Sequence, residues 1–418
     1  MHAVFIDTTL TTPPTGGAQT FLADLAHSLV QRGFRISIIT QPGPESAVAQ
    51  ALTQVGAEVH MNLWSASHLP EEKAPRLARW VNTQDVTAYV VSISPDVGWL
   101  ALPQLDPRIT TFSIAHNDVG AFYLPVTHYA PLIDCAIGVS LETTHQLRNR
   151  TGIESERVRY IPYGVHALSP AAAERRVAMT REVQAPLRIG YVGRVVEEQK
   201  RVMDFIDVIS ALNDRDVTFE LHIIGEGIDR PRFEQKLNEK GFARYVKFWG
   251  WLTPAQVKSR LADLDVFTLM SDYEGLPVAL LEAMGQALVP VVTQINSGSS
   301  ELIRNGENGL MFPVGDSAAC AAHLAKLAAD ENLLRILRRA AWNTAQDYSV
   351  ERMVDSYEQC FREVSAPDFS RAHRAGAPQP YPLLPACKSP YPFWLRKVKR
   401  RLGALRSVPM QMPGQPNR

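Results

Sequence analysis

Cysteine is scarce in this chain: Cys135, Cys320, Cys360 and Cys387 are the only four in 418 residues, and no two have ligand or CxxC spacing. That excludes a disulfide framework and a zinc site, and it fits a reducing, cytoplasmic compartment. No apolar run approaches the roughly 18 residues that a membrane-spanning helix needs. The opening MHAVFIDTTL has neither a basic n-region nor a long apolar h-region, so no secretory signal is expected. No G-x-G-x-x-G links the first strand-like run to the first helix, which weighs against a dinucleotide-dependent dehydrogenase. Acidic residues are missing after Asp368, although the last fifty residues carry ten bases. The formal net charge of zero therefore divides into a body of net −10 (33 bases against 43 acids) and a basic tail.

What is present is ordinary soluble-protein composition, 45% apolar and 21% charged, and length enough for two or three domains. Apolar strand-like runs alternate with amphipathic helical ones over the first 350 residues. HAVFIDT, RISIIT, AYVVSI, ITTFSIA, CAIGVS and VRYIPYG come first; LRIGYVG, FELHIIG, VKFWGWL, DVFTLM and VPVVTQ follow. Strands that are apolar throughout imply parallel sheets covered on both faces. The expected fold is α/β, with two Rossmann-like doubly wound domains facing a central cleft at their strand carboxyl ends. The expected division is 1–170, 187–365 and a tail at 366–418, with Ala167–Pro186 as linker.

The segment MSDYEGLPVALLEAMGQALVPVVT carries most of the chemistry. It reads as strand, loop and helix, with Glu274 on the loop, Pro277 opening the helix and Glu282 one turn further in. Backbone N–H groups of Gly275, Leu276 and Val278 lack helical partners there and make an anion site. A carboxylate beside it can accept two hydrogen bonds from a vicinal diol such as a ribose. In LRIGYVGRVVEEQKR, Arg194 follows a strand and its Gly193 turn, and Lys200 and Arg201 are expected to open a helix. Cations there oppose the helix dipole unless an anion is bound; alternatively Glu197 and Glu198 simply neutralise solvated bases. Gly16 and Gly17 lie between the first strand and helix, where backbone can approach a phosphate. His116 follows a strand ending at the cleft, with Asp118 nearby.

The context EGLPVALLEAMGQALVPVV, with its two glutamates eight apart, closely resembles the donor-binding segment of family-four (group 1) glycosyltransferases, retaining enzymes of the GT-B fold. The resemblance covers roughly residues 1–365. It implies transfer of a sugar from a nucleoside-diphosphate sugar to an acceptor hydroxyl, in cell-surface polysaccharide or glycolipid synthesis. Arg194 and Lys200 match the family's Gly-Arg…Lys pattern that clamps the diphosphate. By the same resemblance Glu282 holds the ribose, and Glu274 and His116 position the donor sugar. Gly16 and Gly17 then lie near donor phosphate and acceptor. Gly225 in HIIGEG matches a loop approaching the nucleotide. FWGWL, with Trp251, resembles the base-pocket segment, although Trp249 and Trp251 also suit core and rim positions. Gly275, Leu276 and Pro277 complete the donor-binding set. In QINSGSSELIRNGENG, Ser297-Gly298 replaces the family's glycine pair while Glu301 is retained.

No segment reads as the DxD metal motif, so no metal and no cofactor beyond the donor substrate is expected. Other readings are a sugar-nucleotide epimerase of the same architecture, or a non-catalytic membrane-associated binding subunit. A saccharide or lipid-linked acceptor is expected and nucleic acid is not. After the Pro-rich stretch from Pro378, FWLRKVKRRLGALR reads as a basic amphipathic helix. Trp394 and Leu395, with Arg396, Lys397, Lys399, Arg400 and Arg401, would hold the protein peripherally on an anionic cytoplasmic membrane face. Packing on the chain's own acidic body, or RNA binding, are the competing readings of that helix.

Overall fold

The structure is a computed structural model that describes residues 1–10, 16–43, 46–94, 96–182, 185–366 and 369. The tail and its expected amphipathic helix lie outside the described residues. Two parallel sheets are present. The first contains β1 (His2–Asp7), β2 (Arg35–Ile39), β3 (Glu58–His60), β4 (Ala88–Ile93), β5 (Thr110–Ala115), β6 (Cys135–Gly138) and β7 (Val158–Tyr160), in the order β3-β2-β1-β4-β5-β6-β7. The second contains β8 (Leu187–Val192), β9 (Phe219–Ile224), β10 (Val246–Gly250), β11 (Val266–Leu269), β12 (Val289–Gln294) and β13 (Leu310–Pro313), in the order β10-β9-β8-β11-β12-β13. Both orders are doubly wound, so each sheet has a switch point beside its first strand, β1 or β8.

All eleven expected strands are found. The two that were not foreseen, β3 and β13, are edge strands. Edges tolerate charge and proline: β3 is Glu-Val-His with Glu58 paired to Arg35 at 2.8 Å, and β13 ends in Pro313. The central strands are buried on both faces, because helices such as Gly17–Gln31 press Phe21, Leu22, Leu25 and Leu29 onto them. The stretch expected as a linker contains a helix, Pro170–Ala178, that buries Ala173 and Val177.

The chain crosses between the sheets twice, and the crossings run side by side. Val165 N–H donates to the Tyr348 carbonyl at 2.8 Å. The second crossing leads into the helix Val350–Val364, which returns to the first sheet. Its Phe361 ring lies 4.9 Å from Phe112 and 6.2 Å from Phe5, and Tyr357 lies 5.6 Å from Phe21. Arg32 ties the same helix through Asp355 at 2.6 Å and Glu358 at 2.9 Å. Cys135, Cys320 and Cys360 are free thiols. Among the described residues no helix is long and apolar enough to cross a membrane.

Candidate active site

The carboxyl ends of β8, β11 and β12 open on one edge, and the loops leaving them are tied to one another. Gln199, buried and not singled out from sequence, is the centre of the knot. Its side-chain N–H donates to the Tyr273 carbonyl at 3.0 Å, its own carbonyl accepts from Asp272 N–H at 2.9 Å, and its Oε1 accepts from Arg194 at 2.6 Å. Lys200 forms an ion pair with Glu274, whose same oxygen accepts from the Ser271 hydroxyl at 2.7 Å. Arg194, Lys200 and Glu274 therefore share one patch. The expectation that Lys200 and Arg201 open a helix is corrected here. Lys200 closes the single turn Glu197–Lys200, and Arg201 is left-handed at φ 48°. The next helix begins at Asp204. A cation at the end of a turn is favoured by the local dipole, so the dipole argument for a bound anion at Lys200 falls away. Arg201 is a structural tie, pairing with Asp204 at 2.8 Å and Asp272 at 3.3 Å.

Pro277 is the residue before the helix Val278–Gly285 rather than its first member. No acceptor among the described residues takes the N–H of Gly275, Leu276 or Val278, so the expected anion site keeps its free donors. Glu282 sits in the second turn of this helix, half-buried, and its carboxyl receives no hydrogen bond from the described residues. Burial pushes its pKa up to about 7; the Asp24 carboxylate raises it further and His166 opposes. Asp24 belongs to the first helix and His166 to the first crossing, and the two lie 3.5 Å apart. Asp24 in turn raises the His166 pKa. This pair of carboxyls with a histidine had no motif to announce it, because its members come from three distant segments.

On the facing side, His116 lies just past β5 and is buried. One ring nitrogen, Nε2, is 2.9 Å from the Ser92 hydroxyl and the other, Nδ1, is 2.6 Å from the Tyr163 hydroxyl. Burial pushes its pKa down to about 3, so the ring is neutral with both nitrogens engaged. Asp7, at the end of β1, is fully buried beside this group; burial raises its carboxyl to about 6, and one of its oxygens is unpartnered. Asp118 accepts from Tyr123 at 2.9 Å. Gly16 and Gly17 stand at the start of the first helix, with Gly17 against the side chain of Val278. A Cβ at Gly275 would overlap the His116 carbonyl; only glycine lets these two loops meet. The two halves of the site are thus in contact.

Glu301 adds a second tie between the halves. Its carboxylate accepts from the Leu141 N–H at 2.6 Å, from the Tyr160 hydroxyl, and from Tyr348 at 3.5 Å. Gly225 has another explanation than the one expected. A Cβ there would overlap the Gly193 carbonyl, so its glycine serves the packing of two protein loops. Trp249 is held between His222, ring centroids 6.0 Å apart, and the Arg260 guanidinium at 3.7 Å, whereas Trp251 is exposed. Two Asp-x-Asp triplets do occur, Asp214–Asp216 and Asp263–Asp265, which qualifies the sequence reading. Both precede strands at the amino ends, and Asp265 is occupied by Arg338 at 2.5 Å. No group of three or more metal-ligating side chains is found among the described residues.

Known proteins share this architecture. Residues 15–167 match the family described as Glycosyltransferase Family 4, and residues 186–330 match Glycosyl transferases group 1. A putative colanic acid biosynthesis glycosyltransferase, WcaL, of Salmonella typhimurium is 33% identical over 180 residues, 40% of this chain and 44% of that protein. A lipopolysaccharide 1,6-galactosyltransferase of the same organism is 30% identical over 166 residues, 39% of this chain and 45% of that protein. These alignments thus span less than half of either relative. Among solved structures, a mutant form of S. aureus TarM, in complex with Fondaparinux, alpha-GlcNAc-glycerol and UDP, superposes at TM-score 0.70 with 13% identity, over 86% of this chain and 99% of that one. Anabaena HepE with UDP and glucose superposes at 0.69 with 18% identity, over 87% and 100%.

Proposed function

The chain belongs to the group 1, family 4 glycosyltransferases, and on that premise we propose that it moves a sugar from a nucleoside-diphosphate sugar to an acceptor hydroxyl with retention at the anomeric carbon. The observation that carries this reading is the unpartnered Glu282 carboxyl beside three free backbone N–H groups, with Arg194, Lys200 and Glu274 on the adjoining loops. Arg194, Lys200 and the N–H groups of Gly275, Leu276 and Val278 hold the diphosphate. Glu282 accepts the ribose diol, and Glu274 holds both Lys200 and the donor sugar. The bond between anomeric carbon and phosphate oxygen breaks, with its electron pair passing to the phosphate. The acceptor oxygen bonds the same face of that carbon, and its proton goes to the departing phosphate oxygen. Growing charge on the leaving group is met by the two cations, so no divalent ion is required. His116, neutral and doubly hydrogen-bonded, packs and orients the sugar side of the cleft rather than moving a proton.

Residues 1–170 form the acceptor side and 187–365 supply the donor side. A cell-surface polysaccharide or glycolipid is the product class, made at the cytoplasmic face of a membrane that the basic tail contacts. Thermal-shift screening against UDP, GDP and their sugars tests the donor reading, since a bound ligand raises the melting temperature by mass action. NMR of the product's anomeric centre tests retention. No stabilisation by any nucleotide, or an inverted product, refutes the respective claim.

A further inference from the structure

The loop that follows β12 carries a hydroxyl with nothing to do. Ser297 is 5% exposed, and its Oγ has no hydrogen-bond partner. It precedes the short helix Gly298–Leu302 with extended backbone, φ −124° and ψ −162°, yet it makes no capping bond. Serines at such positions usually accept a hydrogen bond from the helix start, and elsewhere in this chain Ser46, Ser140 and Ser349 do so, at 3.1, 3.1 and 3.2 Å. An unpaired buried hydroxyl is destabilising, because it has given up water without replacement. Its position is also held firmly. Gly298 N–H donates to the Gly275 carbonyl at 2.8 Å, and Thr293 donates to the Ser271 carbonyl at 2.7 Å. The loop after β12 is thus bound to the loop that carries Glu274, on the side away from Arg194, since β11 lies between β8 and β12.

We propose that the Ser297 hydroxyl completes its hydrogen bonding with a hydroxyl of the donor's sugar, and so helps to choose which sugar is transferred. The inference rests on the donor site described above. Diphosphate and ribose already have partners in Arg194, Lys200, the free N–H groups and Glu282. The β12 loop lies next to Glu274 and one turn before Glu301, which closes the two halves on each other. With diphosphate and ribose held by those groups, a hydroxyl between Glu274 and that closing contact is left for the sugar. This chain has Ser297-Gly298 where the family's pattern has two glycines, so the hydroxyl is an addition to that pattern.

The test compares wild type with Ser297→Ala by calorimetric titration with UDP, UDP-glucose, GDP and GDP-mannose, alongside the melting temperature of each ligand-free protein. In wild type the accepted nucleotide sugar should bind more tightly than its diphosphate. Ser297→Ala should bind the diphosphate as wild type does and lose about five- to tenfold on the sugar form, the worth of one neutral hydrogen bond. Its ligand-free melting temperature should be unchanged or higher, because no protein partner is lost. A sugar-to-diphosphate affinity ratio that the variant keeps, or that wild type itself lacks, overturns the Ser297 inference and leaves the donor site standing. A clear fall in ligand-free melting temperature also overturns it, by revealing a partner within the protein. Failure of wild type to bind any of the four ligands overturns the donor site and the inference together.

Discussion

Replacing Glu282 with glutamine should weaken donor binding while stabilising the empty protein, and the two effects have one cause. The free carboxyl is half-buried, has no donor among the described residues, and is held at about pKa 7 chiefly by burial and secondly by Asp24. A raised folded pKa means that the proton is held more tightly when folded than when unfolded. The stability tied to that proton is therefore present below the unfolded value of 4.5 and is lost as pH rises through about 7. At pH 8 the wild type carries this penalty, with an upper bound of roughly 3 kcal/mol from the pKa difference, and Glu282→Gln does not. A ribose diol reverses the balance, since its hydrogen bonds favour the carboxylate. Binding then releases a proton and strengthens as pH rises. Below about pH 7 wild-type affinity should fall by about tenfold per pH unit, and the variant should show no such slope. At pH 8 the variant should bind about ten- to hundredfold more weakly, the range for one hydrogen bond to a charged group. The measurement is calorimetric titration from pH 6 to 8 with a nucleotide sugar, whose diphosphate oxygens do not titrate in that range, together with melting curves of the empty proteins. Equal affinities at pH 8, or a variant that melts lower than wild type when empty, would refute the assignment.

Arg194→Ala should lower kcat by about a hundredfold or more with a smaller change in donor KM, because leaving-group charge grows in the transition state; steady-state kinetics showing only a raised KM would indicate uniform binding instead. Glu301→Gln keeps the side-chain shape but weakens its bonds to Leu141 and Tyr160; small-angle scattering should show a more extended molecule without donor, and an unchanged radius of gyration would count against its role as an interdomain tie. Phe361→Ala, removing a fully buried ring from the returning helix, should cost about 3–5 kcal/mol by denaturant unfolding; a loss under about 1 kcal/mol would mean that the helix does not depend on this contact. Deleting residues 378–418 should abolish sedimentation with anionic liposomes, and binding that survives the deletion would locate the membrane contact elsewhere.

Strand positions were legible because buried parallel strands are apolar throughout, and that pattern leaves little choice. The edge strands β3 and β13 were not, since an edge need not be apolar. The Glu274–Glu282 segment announced itself because loop, helix start and both carboxylates are contiguous in sequence. Lys200 does lie with Arg194 and Glu274, but its local setting was misread: its side chain reaches Glu274 from the end of a turn, and Arg201 adopts a left-handed conformation that sequence gives no cause to expect in an arginine. Asp24, His166 and Glu301's partners on the facing side went unseen because each acts on groups far away along the chain, as does Gln199 in its bonds to Asp272 and Tyr273. Residue type shows which groups can do chemistry; only the fold shows which of them meet.

Contact between the halves also bears on how the chemistry is protected. Gly275 lies against the His116 carbonyl, Gly17 against Val278, and Glu301 against the start of the helix Leu141–Arg150. Each contact joins a loop that would hold the donor to a loop of the facing sheet. On the proposed reading, a donor between them would be shielded from water, which would strengthen every ionic contact to its phosphates and delay hydrolysis. The returning helix Val350–Val364 and the paired crossings at Val165 and Tyr348 keep the two sheets joined on the far side. The two sheets thus meet at the cleft through two close glycine approaches and one carboxylate, and on the returning helix through packed aromatic rings.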